Sequence, residues 1–153
     1  LGTDDGSRVG GLRVTGFGLL GTPTSGGKRN RFIGQVSYRS KMLTLAGEYG
    51  AIQDSVTAPA SAKVNRTELS AFGVLRLTGS PVAIIGRVDI VDPNTASAST
   101  NDKRTTIIGG LSYQLSPNVR LLADVDRTSF QTPSGGTAPK AIMQALFQTQ
   151  YTF

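Results

Sequence analysis

The chain has no cysteine, no histidine and no tryptophan. Without cysteine it can form neither disulfides nor thiolate metal sites, a composition that suits passage through an oxidising periplasm without mispairing. The missing histidines remove Ser–His nucleophilic catalysis, imidazole acid–base work near neutral pH and the commonest zinc ligands. Also missing is any apolar run near the roughly 20 residues that a membrane-spanning helix needs. That excludes a helical membrane protein. It does not exclude one that crosses with strands, because a spanning strand takes only about 9–11 residues and leaves a faint hydropathy trace. A mean hydropathy of −0.09 therefore says nothing against a membrane.

What is there is a chain of 153 residues with 19 glycines and abundant serine and threonine. Neither a linker nor a shift in composition divides it, so residues 1–153 read as one domain. No secretory leader and no initiating methionine are visible. Since export requires a leader, the sequence reads as mature protein or as a piece of something longer.

Eight segments alternate in polarity: Gly10–Leu20, Arg31–Arg39, Leu43–Ile52, Thr67–Leu77, Val82–Val91, Thr105–Leu115, Val119–Thr128 and Ala141–Phe153. Period two is the signature of a strand, and no segment carries a helical stripe as convincing, although Pro139–Phe147 passes briefly for a helix start. The connections alternate too. Residues 40–42, 78–81 and 116–118 are tight and supply Gly, Pro and Asn for turns. Between them lie longer polar stretches at 21–30, 53–66, 92–104 and 129–140, rich in Ser, Thr, Ala, Pro and Gly. Short turns at one rim and long loops at the other predict an all-β, antiparallel up-and-down β-barrel.

Carrying the parity through the turns gathers the apolar residues on one face. These include Leu12, Val36, Leu45, Leu69, Ile84, Leu111 and Leu121, with no charge in mid-strand. The opposite face collects Arg13, Arg39, Glu48, Glu68, Arg76, Arg87, Asp89, Arg120, Asp124, Asp126 and Gln148. A soluble sheet with a greasy core and a membrane barrel share this pattern turned inside out, so periodicity alone does not separate them. Position along the strands does. All four tyrosines lie on the apolar face, with Tyr38, Tyr113 and Tyr151 near the turn rim and Tyr49 toward the loop rim beside Phe32. Such placement predicts aromatic girdles at two membrane interfaces, with Phe153 completing the turn-side ring. The expected fold is thus a transmembrane barrel, closed by these eight strands alone or as part of a larger one.

The last segment alternates Ala141, Met143, Ala145, Phe147, Thr149, Tyr151 and Phe153 against a glutamine-rich face. This ending resembles the closing strand of bacterial outer-membrane β-barrels, in which the terminal Phe and the alternating residues before it are read by the barrel assembly machinery. By that resemblance Phe147, Tyr151 and Phe153 form the assembly signal. The hairpins Arg31–Tyr38 with Leu43–Tyr49, and Gly110–Leu115 with Val119–Leu121, look like C-terminal hairpins of general or anion-preferring porins of Gram-negative bacteria. The likeness covers nearly the whole chain through loose patterns. Because porins of that kind have about sixteen strands, the resemblance implies the C-terminal half of a larger porin, located in the outer membrane, and it admits assembly as a homotrimer.

Two interiors follow from the two closures. A barrel of eight strands is just wide enough for side chains, so Arg13, Arg39, Arg76, Arg87 and Arg120 would interlock with Glu48, Glu68, Asp89, Asp124 and Asp126 around no channel, leaving a structural, adhesive or lipid-binding role. In a wider barrel the same residues line a water-filled pore for small hydrophilic solutes, and the arginines near the turn rim bias it toward anions. No cofactor or metal is expected, and no enzyme: Ser70 and Ser112 lie on the inner face without a base to activate them. A net charge of +6 would suit nucleic acid, but no basic stripe or binding motif accompanies it. Lys28, Arg29, Lys63, Arg66, Lys103, Arg104 and Lys140 instead flank the long loops, where lipopolysaccharide phosphates would meet them.

Overall fold

The computed structural model describes residues 11–23, 26–56, 62–95, 101–132, 136–137 and 139–152. Eight strands form a single sheet: β1 (Gly11–Leu19), β2 (Lys28–Arg39), β3 (Leu43–Val56), β4 (Ala62–Arg76), β5 (Val82–Asp92), β6 (Arg104–Ser116), β7 (Val119–Phe130) and β8 (Ile142–Tyr151). Their order in space is their order in sequence, and every neighbouring pair is antiparallel. The segment that passes for a helix start is strand: β8 pairs with β7 from Thr128↔Ile142 to Val119↔Tyr151.

The tight turns close as their residues dictate. Ser40 caps the first, its N–H donating to the Leu43 carbonyl at 2.7 Å while its Oγ accepts from the Leu43 N–H at 2.9 Å. In the second, Gly79 takes φ of +72°, a left-handed conformation that costs glycine little. Each turn is also tied to the next strand. The carbonyls of Met42, Pro81 and Asn118 accept from the N–H groups of Arg76, Gln114 and Thr152 at 2.7, 2.9 and 2.9 Å, so the turn rim is hydrogen-bonded from hairpin to hairpin.

Two expectations change. First, the strands run farther into the long connections: β3 reaches Val56 and β4 begins at Ala62, so most of 53–66 is hairpin. The reason is on the outer side of the ladder, where Asn30 donates to Gln53 Oε1 at 3.1 Å and Gln53 donates to Asn65 Oδ1 at 3.3 Å. Polar side chains that read as loop are cross-strand partners. Second, the sheet is open. Among the described residues no ladder joins β1 to β8, so the eight strands do not close on themselves.

The register confirms that the apolar residues share one face. Val14 pairs with Val36 and Val36 with Gly47; Leu69 pairs with Ile90, Ile84 with Leu111, Leu111 with Ala123 and Ala123 with Phe147. This face is bare: Leu12 is 68% exposed, Leu111 55% and Phe147 71%. The residues buried most deeply, Ser70, Ser112 and Ala83, are small and stand on the opposite face. Crowding on that side alone makes the polar face the concave one. The chain exposes 10850 Å², against the roughly 7,400 Å² of a compact globular protein of its 16.0 kDa mass. Ala83 is the one buried apolar side chain among the described residues, so there is no hydrophobic core of the ordinary kind.

Candidate functional site

The concave face carries the polar side chains because the strand parity points them there. Arg13 stands opposite Ser37, Arg39 opposite Thr44, Glu48 opposite Ser70, Arg76 opposite Ala83, Arg87 opposite Phe72, Asp124 opposite Gly110, Asp126 opposite Gln144 and Gln148 opposite Leu122. Glu68 lies across from Gly50, Asp89 from Ser70 and Arg120 from Gln114. All eleven residues singled out from the sequence for the interior therefore share one face. That face is less polar than expected, since Phe17, Ile33, Phe72, Val74, Ile85, Ile108, Leu122 and Leu146 lie among them by register.

Along the concave face Arg39, Arg76 and Arg120 stand next to the tight turns, Glu48, Asp89, Asp124 and Asp126 stand farther into their strands together with Arg87, and Arg31, Arg66 and Arg104 stand toward the loop side. At mid-wall, Arg87 Nε donates to both carboxylate oxygens of Asp89 at 3.0 and 2.8 Å, and Ser70 Oγ donates to Asp89 Oδ1 at 2.5 Å. Toward the loop rim, Arg31 donates to both oxygens of Asp54 at 2.7 and 3.0 Å, and Lys103 pairs with Asp92 at 3.4 Å. Of the network that a closed eight-stranded barrel would need, the Arg87–Asp89 pair is formed, whereas Arg39, Arg76 and Arg120 take no carboxylate partner among the described residues.

Two of these arginines are nonetheless held. Arg76 Nη1 donates to Thr44 Oγ1 at 3.0 Å. Arg120 Nε donates to Gln114 Oε1 at 3.0 Å, and the Gln114 amide is itself oriented by donating to the carbonyls of Ser116 (2.7 Å) and Val119 (3.3 Å). A register shift between Gln114 and Ser116 makes this possible by bringing two turn carbonyls within reach of one side chain. Gln114 shares the parity of Ser112, and its positioning role has no trace in the sequence, because a bulge leaves no mark in the parity.

Between the second and third turns the concave face sinks into a cavity of about 570 Å³, lined among others by Arg76, Ala83, Ser112, Gln114, Arg120 and Leu122. No family model, curated protein or solved structure matches the chain.

On the convex face Phe32, Tyr38, Tyr49, Tyr113 and Tyr151 are all exposed, and Phe147 stands at mid-strand in β8. Phe153, assigned to both the girdle and the assembly signal, lies outside the described residues, as does the segment 1–10. Beyond Phe32 the Asn30–Gln53–Asn65 amides mark where the apolar surface ends. Register also puts Arg127 on this face, opposite Ile107 and Met143 at the loop side, a placement that the sequence reading missed.

The Arg31–Asp54 pair is half exposed at the aspartate, with 51% of that side chain accessible. Pairs of this kind contribute about 0–1 kcal/mol. Asp54→Asn is accordingly expected to shift the urea midpoint by less than the equivalent of about 1 kcal/mol, followed by circular dichroism.

Proposed function

We propose that the chain forms part of the wall of a porin-type β-barrel in the bacterial outer membrane, through which small hydrophilic solutes diffuse passively with a preference for anions. The observation that carries this reading is the sidedness of the sheet. Its convex face is apolar, exposed and edged by aromatic residues, with charge only toward the loop side, and its concave face holds the charges at mid-strand and beside the tight turns. Water does not stabilise a face of that size, whereas acyl chains would accept it without jigsaw packing. The apolar positions of β5 run from Val82 to Ile90 and those of β6 from Ile107 to Leu115. Each stretch spans about 27 Å along the strand, or about 20 Å across a bilayer at the usual tilt, near the height of an outer-membrane apolar band.

The open edges favour a wide barrel. An unpaired backbone group in hydrocarbon costs several kcal/mol, so β1 and β8 need strand partners in a membrane, and further strands would supply them. We therefore read the eight strands as one wall of a larger barrel, as the likeness to porin C-terminal halves suggests. A water-filled lumen also accounts for Arg39, Arg76 and Arg120 standing without carboxylate partners, since solvent screens them. Their position by the tight turns puts an anion-attracting zone at that mouth. Lys28, Lys63 and Arg127 at the other rim suit the phosphates of lipopolysaccharide.

Reversal potentials across planar bilayers under a potassium chloride gradient test the reading. The protein is expected to conduct with chloride favoured over potassium, and Arg76→Glu together with Arg120→Glu is expected to reverse the sign. A silent membrane, or cation preference before mutation, would overturn it.

A further inference from the structure

The cavity beside the second and third turns has a composition that a passage for inorganic ions does not require. One cross-strand row runs Arg76, Ala83, Ser112, Leu122, Gln148, from β4 to β8. The middle of that row is made of small residues, 8% exposed at Ala83 and 7% at Ser112, and this is what hollows the wall. The cavity lining also includes Val74, Ile85 and Leu122, which supply an apolar surface, and among the described residues it contains no carboxylate. Arg76 and Arg120 both belong to the lining, and each is fixed through one N–H group to a neutral partner. Arg120, Gln114 and Gln150 are shared with a smaller cavity of about 250 Å³ that reaches Pro117, Asn118 and Thr152 at the turn rim. The larger space thus adjoins one that extends to the mouth.

Guanidinium groups bind carboxylates through paired N–H donors, and their strength grows where surrounding apolar atoms thin the water. Chloride gains nothing from a valine, an isoleucine and a leucine. An organic anion gains both contacts at once. The volume also falls in the range of small-molecule sites, about 300–1,000 Å³.

We infer that this cavity is a binding subsite for small organic carboxylates with an apolar body, the carboxylate held by Arg120 and the body lying on Ile85 and Leu122, with Arg76 on the far side of the cavity adding positive potential. The inference rests on the pore reading for its physiological meaning, yet binding is measurable without transport.

The test is titration calorimetry of benzoate, and separately of acetate, into the detergent-solubilised protein, with chloride current recorded in parallel in planar bilayers. Benzoate is expected to bind at least about tenfold more tightly than acetate and to block chloride current at matching concentrations. Arg120→Gln is expected to weaken benzoate about tenfold, the loss of one charge-assisted contact, and Arg76→Gln to weaken it by less. Ala83→Leu, which fills the hollow without touching charge, is expected to match the effect of Arg120→Gln, while Arg31→Gln near the loop rim leaves the affinity unchanged. Benzoate binding without conductance would remove the pore reading and leave the subsite standing. Conductance with benzoate no tighter than acetate, or benzoate binding indifferent to Arg120→Gln and Ala83→Leu, would overturn the subsite.

Discussion

Leu111→Arg is expected to destabilise the sheet by about 2–4 kcal/mol in lipid vesicles, the depth-dependent cost of a cation near the middle of a bilayer. Leu111 is central in the apolar run of β6, with Ile84 and Ala123 as its cross-strand neighbours. It is already 55% exposed, so in a sheet whose convex face met water the same change would be almost neutral. The effect therefore measures the surrounding solvent rather than packing. Gln144→Arg, on the concave face opposite Asp126, is the companion, expected within about 0.5 kcal/mol of the parent. Urea unfolding in vesicles, followed by circular dichroism and gel mobility, reads both. Equal, small shifts would mean that acyl chains do not cover Leu111.

The second large effect separates two adjacent glycines. A Cβ at Gly110 would lie 2.7 Å from the Ala123 carbonyl oxygen and 3.1 Å from Asp124 Cα, backbone atoms that cannot step aside without opening the β6–β7 ladder. Gly110→Ala is expected to cost about 1–3 kcal/mol, as overpacking does. Gly109 points the other way, pairs with Gly86 and Val125, and has nothing within 4 Å of the same added atom. Gly109→Ala is expected to stabilise by about 0.5–1 kcal/mol, because alanine loses less conformational freedom on folding. Opposite signs from neighbouring residues are the expected outcome of chemical denaturation. A common sign would contradict the register of β6 against β7.

Strand existence, the meander order and the division of side chains between two faces were all legible, because alternation over eight segments is a direct print of the pleat and the Ser, Gly, Pro and Asn clusters mark the turns. The same alternation put the residues from Arg13 to Gln148 on one side of the sheet. Parity, however, carries no distance. It could not tell that Asn30, Gln53 and Asn65 hydrogen-bond across strands, so β3 and β4 were expected to stop short of Val56 and Ala62. Nor does parity carry curvature or closure. An open sheet and a closed one alternate identically, and only the absence of a β1–β8 ladder among the described residues distinguishes them. The cavity was hidden likewise, since it depends on Arg76, Ala83, Ser112 and Leu122 falling in one row, a matter of cross-strand stagger.

The nearest-neighbour order of the strands bears on how such a sheet is assembled and how its width can change. Every ladder joins segments consecutive in sequence, so no contact waits on a remote one, and closing each hairpin costs little chain entropy. A growing margin is always offered to the segment that follows. Deleting β3 with β4, or duplicating them, would leave β2 facing an antiparallel neighbour with the same sides in and out. The width of the sheet is thereby adjustable two strands at a time, without redesign of the rest.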